Sequence, residues 1–432
     1  MIILSSSDEF LNDAARQYDA LPQETSQIYK KHFISIPFEL KNYLDAKGGA
    51  QDEKAFISDT INGSLKDINM KFDLVLGSET MENSNAKYVS IITPGDIDAG
   101  ERMHQNDDKF AAFMNANSKN VVKITVPAGD AAKLNLLLVN SNSPLNVQVF
   151  VELGDNSSLE LFELCVSNAG LTSSLGLMHE IRQDRDATAE INTVHNENDK
   201  TVVLAFAKNS MGQNSHLRFN TLYNGGTHSR ARNSFRAESK DSKVEVNEVV
   251  FGAKEQKFDI NTYVINQGKE SHASLESKAA LMDTSFCMLK GYAKVEKGAS
   301  KSRSYVHERG ILMDKGAKVD GLPDMSVDEN DVKATHSSAT SPVDTEAVFY
   351  MMSKGITEKW VKKLLINGFF AESMAKMGSS SMKEISMSLI NSKLETKSYG
   401  QMPQIGIKDM WVIASDVGKD GIFKGHYKYR EG

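Results

Sequence analysis

The residues of this chain that could bind a transition metal are a histidine and a glutamate near the point where its strand pattern ends. His336 lies in the segment 331–340, and Glu308 lies in the strand-like segment 304–309. A neutral imidazole is a borderline ligand that suits iron, and a carboxylate offers an oxygen ligand. Two other interpretations stay open at this point. His336 could form hydrogen bonds across the end of a stack of strands, and Glu308 could be an exposed strand residue.

The two cysteines, Cys165 and Cys287, lie in apolar, strand-like segments. We predict buried thiols that pack as small hydrophobic side chains. The sequence has no Cys-x-x-Cys pair, and a permanent iron–sulfur cluster normally needs about four thiolates. We therefore expect that this chain alone holds no stable cluster. Other histidines of the strand region show no spacing that forms a metal site by itself: His195, His216, His272 and His307.

Other kinds of chemistry lack their usual motifs. There is no phosphate-binding loop of the G-x-x-x-x-G-K-[ST] type, no G-x-G-x-x-G after a strand, and no recognisable local motif for Ser-His-Asp or Cys-His catalysis. The formal net charge of −7 gives no electrostatic footprint for nucleic acid. The apolar runs are too short to span a membrane, and the first residues lack a signal-peptide pattern. We expect a cytoplasmic protein that is not an enzyme and has no nucleic-acid or membrane partner.

A long series of short strands must position these candidate residues. Between about residues 120 and 330, apolar and polar residues alternate, and each run ends at Gly, Asn, Asp or Ser. A turn-plus-strand unit recurs at 186–191, 212–217, 241–246, 268–273, 298–303 and 316–321. A repeat of strands and turns with no helical pattern between them indicates a parallel β-helix. A β-sandwich or a propeller is the competing architecture, because alternation does not determine how the strands wrap.

The sequence period changes on both sides of the strand region. Residues 1–119 form a mixed, mostly helical region, with helices predicted at about 8–18 and 107–116. Residues 331–432 form a helical domain, with helices predicted at about 346–354, from Thr357 onward, and at about 380–394. A short β-like tail follows Ile405, and we expect a hairpin there through residues 418–421.

The segment that joins the strands to the helices carries the most specific motif. It reads D-V-K-A-T-H-S-S-A-T from residue 331, F-Y-M-M-S-K-G-I from residue 349 and L-L-I-N-G-F from residue 364. This succession resembles the SufB/SufD family of iron–sulfur cluster assembly proteins, where it lies between a β-helix and a C-terminal helical domain. SufB proteins carry a cysteine in place of Glu308 and a glutamate in place of Ser337. A chain that lacks both but keeps His336 has the SufD-like pattern.

The resemblance implies a mainly β fold, with a right-handed parallel β-helix core (120–330) between the mixed N-terminal region and the helical end. It implies a non-catalytic scaffold that pairs through the β-helix with a SufB-like subunit, or with itself. A SufC-like ABC ATPase is then expected to bind the C-terminal helices. The implied cofactor is a transient iron–sulfur cluster in the assembled complex, and whether a flavin also binds stays open. His336 and Glu308 are the residues that we expect to bind metal.

The helix after Thr357 carries more apolar surface than one buried stripe requires. Phe370 lies about 100° around the helix axis from Phe369, so both rings cannot face the same core. We therefore predict that this helix binds the ATPase through Leu364, Leu365, Phe369 and Phe370. If both rings lie in the core, the substitution Phe370→Ala should instead lower the stability of the fold.

Two other functions remain open. The first is a homodimer that does the work of both SufB and SufD. The second is a β-helical carbohydrate-active enzyme, which calls for a row of paired carboxylates along one strand face. The sequence has acidic residues scattered among its turns but no such row.

Overall fold

The computed structural model of the protein describes residues 6–25, 29, 31–43, 50–65, 70–78, 81–83, 87–94, 97, 108–141, 144–168, 172–378, 380–396 and 403. Strands dominate and wind into a parallel β-solenoid of about seven turns. The predicted mainly β fold and the parallel β-helix are therefore confirmed. The tail after Ile405, with its predicted hairpin, lies outside the described residues. No described helix is both long enough and apolar enough to cross a membrane.

The coils of the solenoid form two sheets that face each other. Across the first sheet the strands are β2 (Met81–Asn83), β1 (Leu74–Gly77), β5 (Ala131–Asn140), β7 (Ser158–Ser167), β9 (Thr188–Asn196), β11 (His216–Tyr223), β13 (Lys243–Gly252), β15 (His272–Leu281), β17 (Arg303–Leu312) and β20 (Lys333–Pro342). Across the second they are β18 (Lys318–Gly321), β16 (Phe286–Val295), β14 (Lys257–Asn266), β12 (His228–Ala237), β10 (Thr201–Met211), β8 (Ser173–Gln183), β6 (Leu145–Leu153), β4 (Asn120–Val126) and β3 (Val89–Ile92), and β19 (Asp324–Val327) also pairs with β16. Neighbours run parallel, except for the antiparallel pairs β1–β2 and β3–β4.

One corner of each coil is a tight turn that contains a left-handed residue. The backbone angle φ is 58° at Asn156, 59° at Asp186, 58° at Asn214 and 58° at Asp241. Asn and Asp adopt this conformation more readily than other residues with a Cβ atom. The turns also stack on each other, since the N–H of Asn156 donates to the carbonyl of Arg185 in the next coil at 2.9 Å. These stacked turns are the recurring unit that the sequence displays.

Aliphatic side chains that point inward from both sheets form one continuous core. Val122, Leu136, Val149, Leu161 and Ile181 are among its fully buried members. Each coil therefore buries its apolar residues against the coils before and after it, which is the stabilising arrangement of a solenoid.

Helices flank the two sheets. They are α1 (Ser6–Ala20), α2 (Ala50–Ser58), α3 (Lys109–Asn117), α4 (Thr345–Ser353), α5 (Glu358–Lys376) and α6 (Ser380–Thr396). A short 3₁₀ segment spans Leu40–Tyr43, and a π-helical turn, Asp59–Ser64, continues α2. No residue of α4 is buried. Side chains of α1 and α3 pack on the second sheet, and those of α2, α5 and α6 pack on the first. The molecule therefore has one covering for each outer face.

Candidate functional site

The last coil ends the first sheet with an exposed strand. β20 pairs with β17 in continuous register, from Arg303 opposite Lys333 to Leu312 opposite Pro342. Among the described residues, no further strand pairs with its other edge. Its side chains are exposed from Thr335 to its end. The second sheet finishes with the two short strands β18 and β19, both paired with β16.

His336 lies on this exposed strand, on the side that faces the solenoid axis. It stands opposite Val306, a fully buried member of the interior core. Because paired residues of neighbouring strands point to the same face, the imidazole continues the inward-facing row beyond the last buried coil. The side chain is exposed, since no described strand covers that row. A ligand at the end of the solenoid could therefore reach it.

Glu308 lies one coil below, on the same inward face as His336 but two positions further along the strand. Ser338 of β20 is its register partner. With strands about 4.8 Å apart and a rise of about 3.3 Å per residue, the Cα atoms of Glu308 and His336 are roughly 8 Å apart. The structure therefore brings both predicted metal-binding residues to the same end of the solenoid interior. Whether either one binds metal stays a prediction.

The Glu308 side chain is only 1% exposed, so the alternative interpretation as an exposed strand residue is wrong. Its Oε1 accepts a hydrogen bond from the backbone N–H of Gly291 at 2.7 Å. Its Oε2 has no well-aligned donor among the described residues. Burial raises the pKa of Glu308 to about 8, with nearby Glu248 adding to the effect and the Gly291 N–H opposing it. The carboxyl group is therefore largely protonated at neutral pH.

Two glycines make room for this carboxyl group. A Cβ atom on Gly291 would lie 2.9 Å from Glu308 Oε1, and one on Gly321 would lie 2.9 Å from Oε2 and 2.1 Å from the Ser338 hydroxyl. Real Cβ atoms essentially never lie this close to a neighbouring atom. A larger residue at either position must therefore displace the carboxyl group. The backbone of the last coil thus forms a close-fitting pocket around Glu308.

Further buried carboxylates lie among the register partners of Glu308 along the first sheet. The sequence analysis did not identify them. Glu248 accepts hydrogen bonds from Thr262 and from Ser277, the latter at 2.7 Å. Glu163 binds His179 Nε2 at 2.8 Å. Pairing along the first sheet joins these positions in one register row: Glu163, Thr193, Thr221, Glu248, Ser277, Glu308 and Ser338. One polar inward position per repeat is the signal that could have revealed the row.

The predicted ATPase-binding residues of α5 differ in their exposure. Leu364, Leu365 and Phe369 are half-buried. Phe370 is fully buried and lies edge-on to Phe251 of β13, with ring centroids 6.3 Å apart. Its ring is not available to a partner, because it fills the interface between α5 and the first sheet. The prediction that Phe370 contacts the ATPase is therefore corrected to a role in the core.

Other side chains of these helices are exposed instead. Phe349, Tyr350 and Met352 of α4 are 74%, 62% and 42% exposed, and Trp360 of α5 is 51% exposed. We call these four residues the aromatic patch. Exposed large apolar side chains on neighbouring helices are typical of binding surfaces. The sequence motif contains Phe349, Tyr350 and Met352 but not Trp360, and helical periodicity alone did not single out any of the four.

Both cysteines are free and buried, as predicted. Burial raises the pKa of each thiol well above its usual value. Neither is therefore an exposed thiolate that could hold a cluster at the surface.

The chain matches the sequence model of a family described as "SUF system FeS cluster assembly, SufBD core domain" over residues 136–369. It is 21% identical over 393 residues to the iron–sulfur cluster assembly protein SufD of Escherichia coli K12, a match that covers 86% of this chain and 92% of that protein. SufD of Bacillus subtilis 168 is 30% identical over 147 residues, which is 34% of each chain.

A third similar protein is an iron–sulfur cluster assembly SufBD family protein of Pyrococcus horikoshii. It is 24% identical over 215 residues, which cover 50% of this chain and 48% of that protein. The chain thus spans only about a third and a half of the Bacillus and Pyrococcus proteins, although it spans most of the Escherichia coli protein. The matched residues begin within β5 and end within α5, and they include His336 and Glu308. The chain belongs to the SufB/SufD family of iron–sulfur cluster assembly proteins, as a SufD-like member.

Proposed function

We propose that this chain is a non-catalytic scaffold subunit for iron–sulfur cluster assembly, which pairs with a SufB-like subunit along β20 and binds an ABC-type ATPase through its C-terminal helices. The observation that carries this proposal is the exposed edge of β20 at the end of the β-helix. An unpaired, extended edge of this length is a template for another strand. Ten residues give it a length of about 33 Å.

The direction of the backbone groups of β20 supports this pairing. The N–H of Lys333 donates to Ser302 at 3.0 Å, and that of Val343 donates to Leu312 at 2.9 Å. In a parallel sheet, successive residues of a strand form their backbone hydrogen bonds to the two neighbouring strands in turn. The odd-numbered residues of β20 therefore face β17, and the N–H groups of even-numbered residues such as His336 and Thr340 point outward. A partner strand would satisfy these outward donors.

A proline at one outward position tests the pairing. Thr340→Pro removes one outward N–H without breaking a bond to β17, whereas the control Thr340→Ala keeps that N–H. In co-expression with the SufB-like subunit of the same organism, we expect Thr340→Pro to weaken binding at least tenfold and Thr340→Ala to bind normally. A folded Thr340→Pro protein with unchanged affinity contradicts pairing along β20. Self-association of the wild type at the same edge favours the homodimer instead.

His336 and Glu308 are the proposed contacts to iron, which is the cargo of the assembly. Within this chain the cysteines are buried, so the thiolates for a cluster must come from a partner or a sulfur donor. An imidazole beside the pairing edge suits an added nitrogen ligand. We expect His336→Ala to reduce cluster absorbance of the anaerobically reconstituted complex. His307→Ala is the matched control, because His307 lies on the opposite face of β17 and hydrogen-bonds to Ser337.

The aromatic patch is the proposed contact to the ATPase. Large aromatic side chains dominate binding energies at protein interfaces. We expect Trp360→Ala to raise the Kd for the ATPase about tenfold or more. Met81→Ala is the control, since Met81 is an equally exposed apolar residue (55%) on β2, at the other edge of the first sheet. An equal effect of both substitutions, or of neither, contradicts docking at the patch.

A further inference from the structure

A cysteine, a histidine and a glutamate meet inside the β-helix, far along the chain from His336. Cys165 of β7 and His195 of β9 are register partners on neighbouring strands. Glu197 follows two residues after His195, and its Oε1 lies 2.7 Å from His195 Nδ1. One donor atom from each residue can be chosen so that all three lie within 4.8 Å of one another. This is the size of a metal coordination sphere.

The three side chains are shielded from water. Cys165, His195 and Glu197 are at most 1% exposed. His195 occupies one oxygen of Glu197, but Oε2 is buried and has no hydrogen-bond partner among the described residues. A buried carboxylate oxygen without a partner carries a large desolvation penalty. A cation bound between the three donors would remove that penalty.

Neighbouring residues hold the donors in place. The Tyr223 ring stacks on the imidazole of His195, with centroids 5.3 Å apart and an angle of 3° between the ring planes. The backbone N–H groups of Asn224 and Gly225 both donate to the His195 carbonyl at 2.9 Å. Gly225 comes so close that a Cβ atom there would lie 2.0 Å from the Glu197 nitrogen. The arrangement is therefore largely formed before any ligand binds.

We propose that Cys165, His195 and Glu197 form an internal binding site for a divalent transition metal of the Zn²⁺ or Fe²⁺ class. One sulfur, one nitrogen and one oxygen donor suit a borderline ion and do not suit Mg²⁺ or Ca²⁺, which prefer oxygen ligands. Three protein ligands leave a fourth tetrahedral position open. The ion exchanges with the thiol proton of Cys165, which leaves to solvent as the metal–sulfur bond forms. This site is separate from the last coil and does not depend on the proposed partners.

The loop after β9 provides a route for the ion. Glu197 is the first residue after that strand, and Asp199 and Lys200 beside it are exposed. A local opening of this loop would expose Glu197 without separating the strands of the core.

Cys287 is a matched control for Cys165. It is also free and fully buried. It packs in a cluster with Phe258, Leu289 and Val319, and among the described residues it belongs to no group of three potential metal ligands. The two thiols thus differ in their neighbours rather than in their burial. They are the only cysteines of the chain.

Cobalt is a suitable probe, since Co²⁺ bound to a thiolate gives a near-ultraviolet charge-transfer band. We expect the purified, metal-free chain to bind about one Co²⁺ with this band under anaerobic conditions, and Zn²⁺ or Fe²⁺ to displace it. Cys287→Ser should keep the band at full intensity, with Cys165 as the one remaining thiol. Cys165→Ser should abolish it, and Glu197→Gln should raise the Kd about tenfold or more.

The Cys287→Ser variant decides the result even if Cys165→Ser does not fold. A band that disappears in Cys287→Ser, or that is absent from the wild type, overturns the proposal. A band that survives in folded Cys165→Ser also overturns the proposal. Displacement by Zn²⁺ alone, by Fe²⁺ alone or by both identifies which ions the site accepts.

Discussion

Both coverings of the β-helix pack apolar side chains on it, but they differ in how many buried charges they add. The N-terminal covering binds the second sheet through a charged cluster made of Glu24, Asp108, Arg230, Arg232, Asp259 and Lys290. The C-terminal covering binds the first sheet through apolar side chains that include Phe370, Met374, Ile385 and Leu389. Buried ion pairs contribute little net stability but leave a severe penalty when one partner is lost. Apolar contacts stabilise in proportion to the buried area. The N-terminal covering therefore depends on matching charges as well as on apolar contacts, whereas the C-terminal covering depends mainly on apolar contacts.

Asp259 lies at the centre of the charged cluster. Lys290 Nζ lies 2.6 Å from its Oδ1, and Arg232 and Arg230 contact its Oδ2 at 3.2 and 3.5 Å. The backbone N–H of Ile34 donates to the same carboxylate at 2.9 Å. Although burial opposes ionisation, these cations hold the pKa of Asp259 below its usual value. Asp259 thereby links the N-terminal segment to three strands of the second sheet.

The largest effect is expected from breaking this cluster. Asp259→Ala removes one of the two carboxylates that all three cations share, the other being Glu24. It should lower the free energy of unfolding by about 4 kcal/mol, measured by urea denaturation. The control is Glu160→Ala, which breaks the exposed ion pair with Lys133 and should cost less than about 1 kcal/mol. Similar losses of unfolding free energy from both substitutions would contradict the expectation that a buried ion pair is costlier to break than an exposed one.

A smaller loss is expected from the apolar covering. Phe370→Ala creates a cavity beside Phe251 and should cost about 3 kcal/mol. Phe369→Ala should cost less, since that ring is half-buried. Thermal unfolding of both variants checks the order. A greater loss from Phe369→Ala would reverse the assignment of core and surface.

The N-terminal covering should also respond to pH through His228. This ring contacts Phe38 edge-on, with centroids 6.2 Å apart, and burial, together with nearby Lys257, lowers its pKa to about 4. The unfolded chain, with an ordinary pKa near 6.5, binds the proton first as the pH falls. Stability should therefore decrease between about pH 6.5 and pH 4, by about 1 kcal/mol at pH 5 once the partial exposure of the ring is allowed for.

The substitution His228→Gln removes this titration. The difference in unfolding free energy between pH 7 and pH 5 should therefore be about 1 kcal/mol smaller than in the wild type. His32→Gln is the control, because His32 is exposed. An unchanged pH dependence in His228→Gln would show that other groups cause it.

The smallest change in stability is expected at the aromatic patch. Trp360→Ala should alter the free energy of unfolding by less than about 0.5 kcal/mol, in contrast with Phe370→Ala on the same helix. Chemical denaturation of the two variants side by side makes the comparison. A loss near that of Phe370→Ala would mean that Trp360 belongs to the covering rather than to a binding surface.

Local patterns predicted the repeating part of the fold. Alternating apolar residues and turns at Asp186, Asn214 and Asp241 are properties of short segments, and the parallel β-helix confirms what they indicate. The helix from Ser380 was also predicted within two residues of its observed end.

Contacts between distant segments were not predictable in this way. The burial of Glu308 depends on Gly291 and Gly321 of the opposite sheet, and that of Phe370 depends on Phe251. The sequence reasoning found no metal-site spacing around His195, because its neighbour Cys165 belongs to the previous coil. Register between strands determines such neighbours, and alternation alone does not reveal it.

The stacked coils also determine how the molecule opens. An internal coil has neighbours on both sides, whereas β20 of the last coil rests on β17 alone within the described chain. In such a nearly one-dimensional stack, a terminal unit loses one interface when it melts, whereas an internal unit loses two. The backbone amides of β20 should therefore exchange with deuterium sooner than those of β13, and a subunit docked on this edge would slow them. Fraying of the last coil thus couples the local folding of the chain to its assembly.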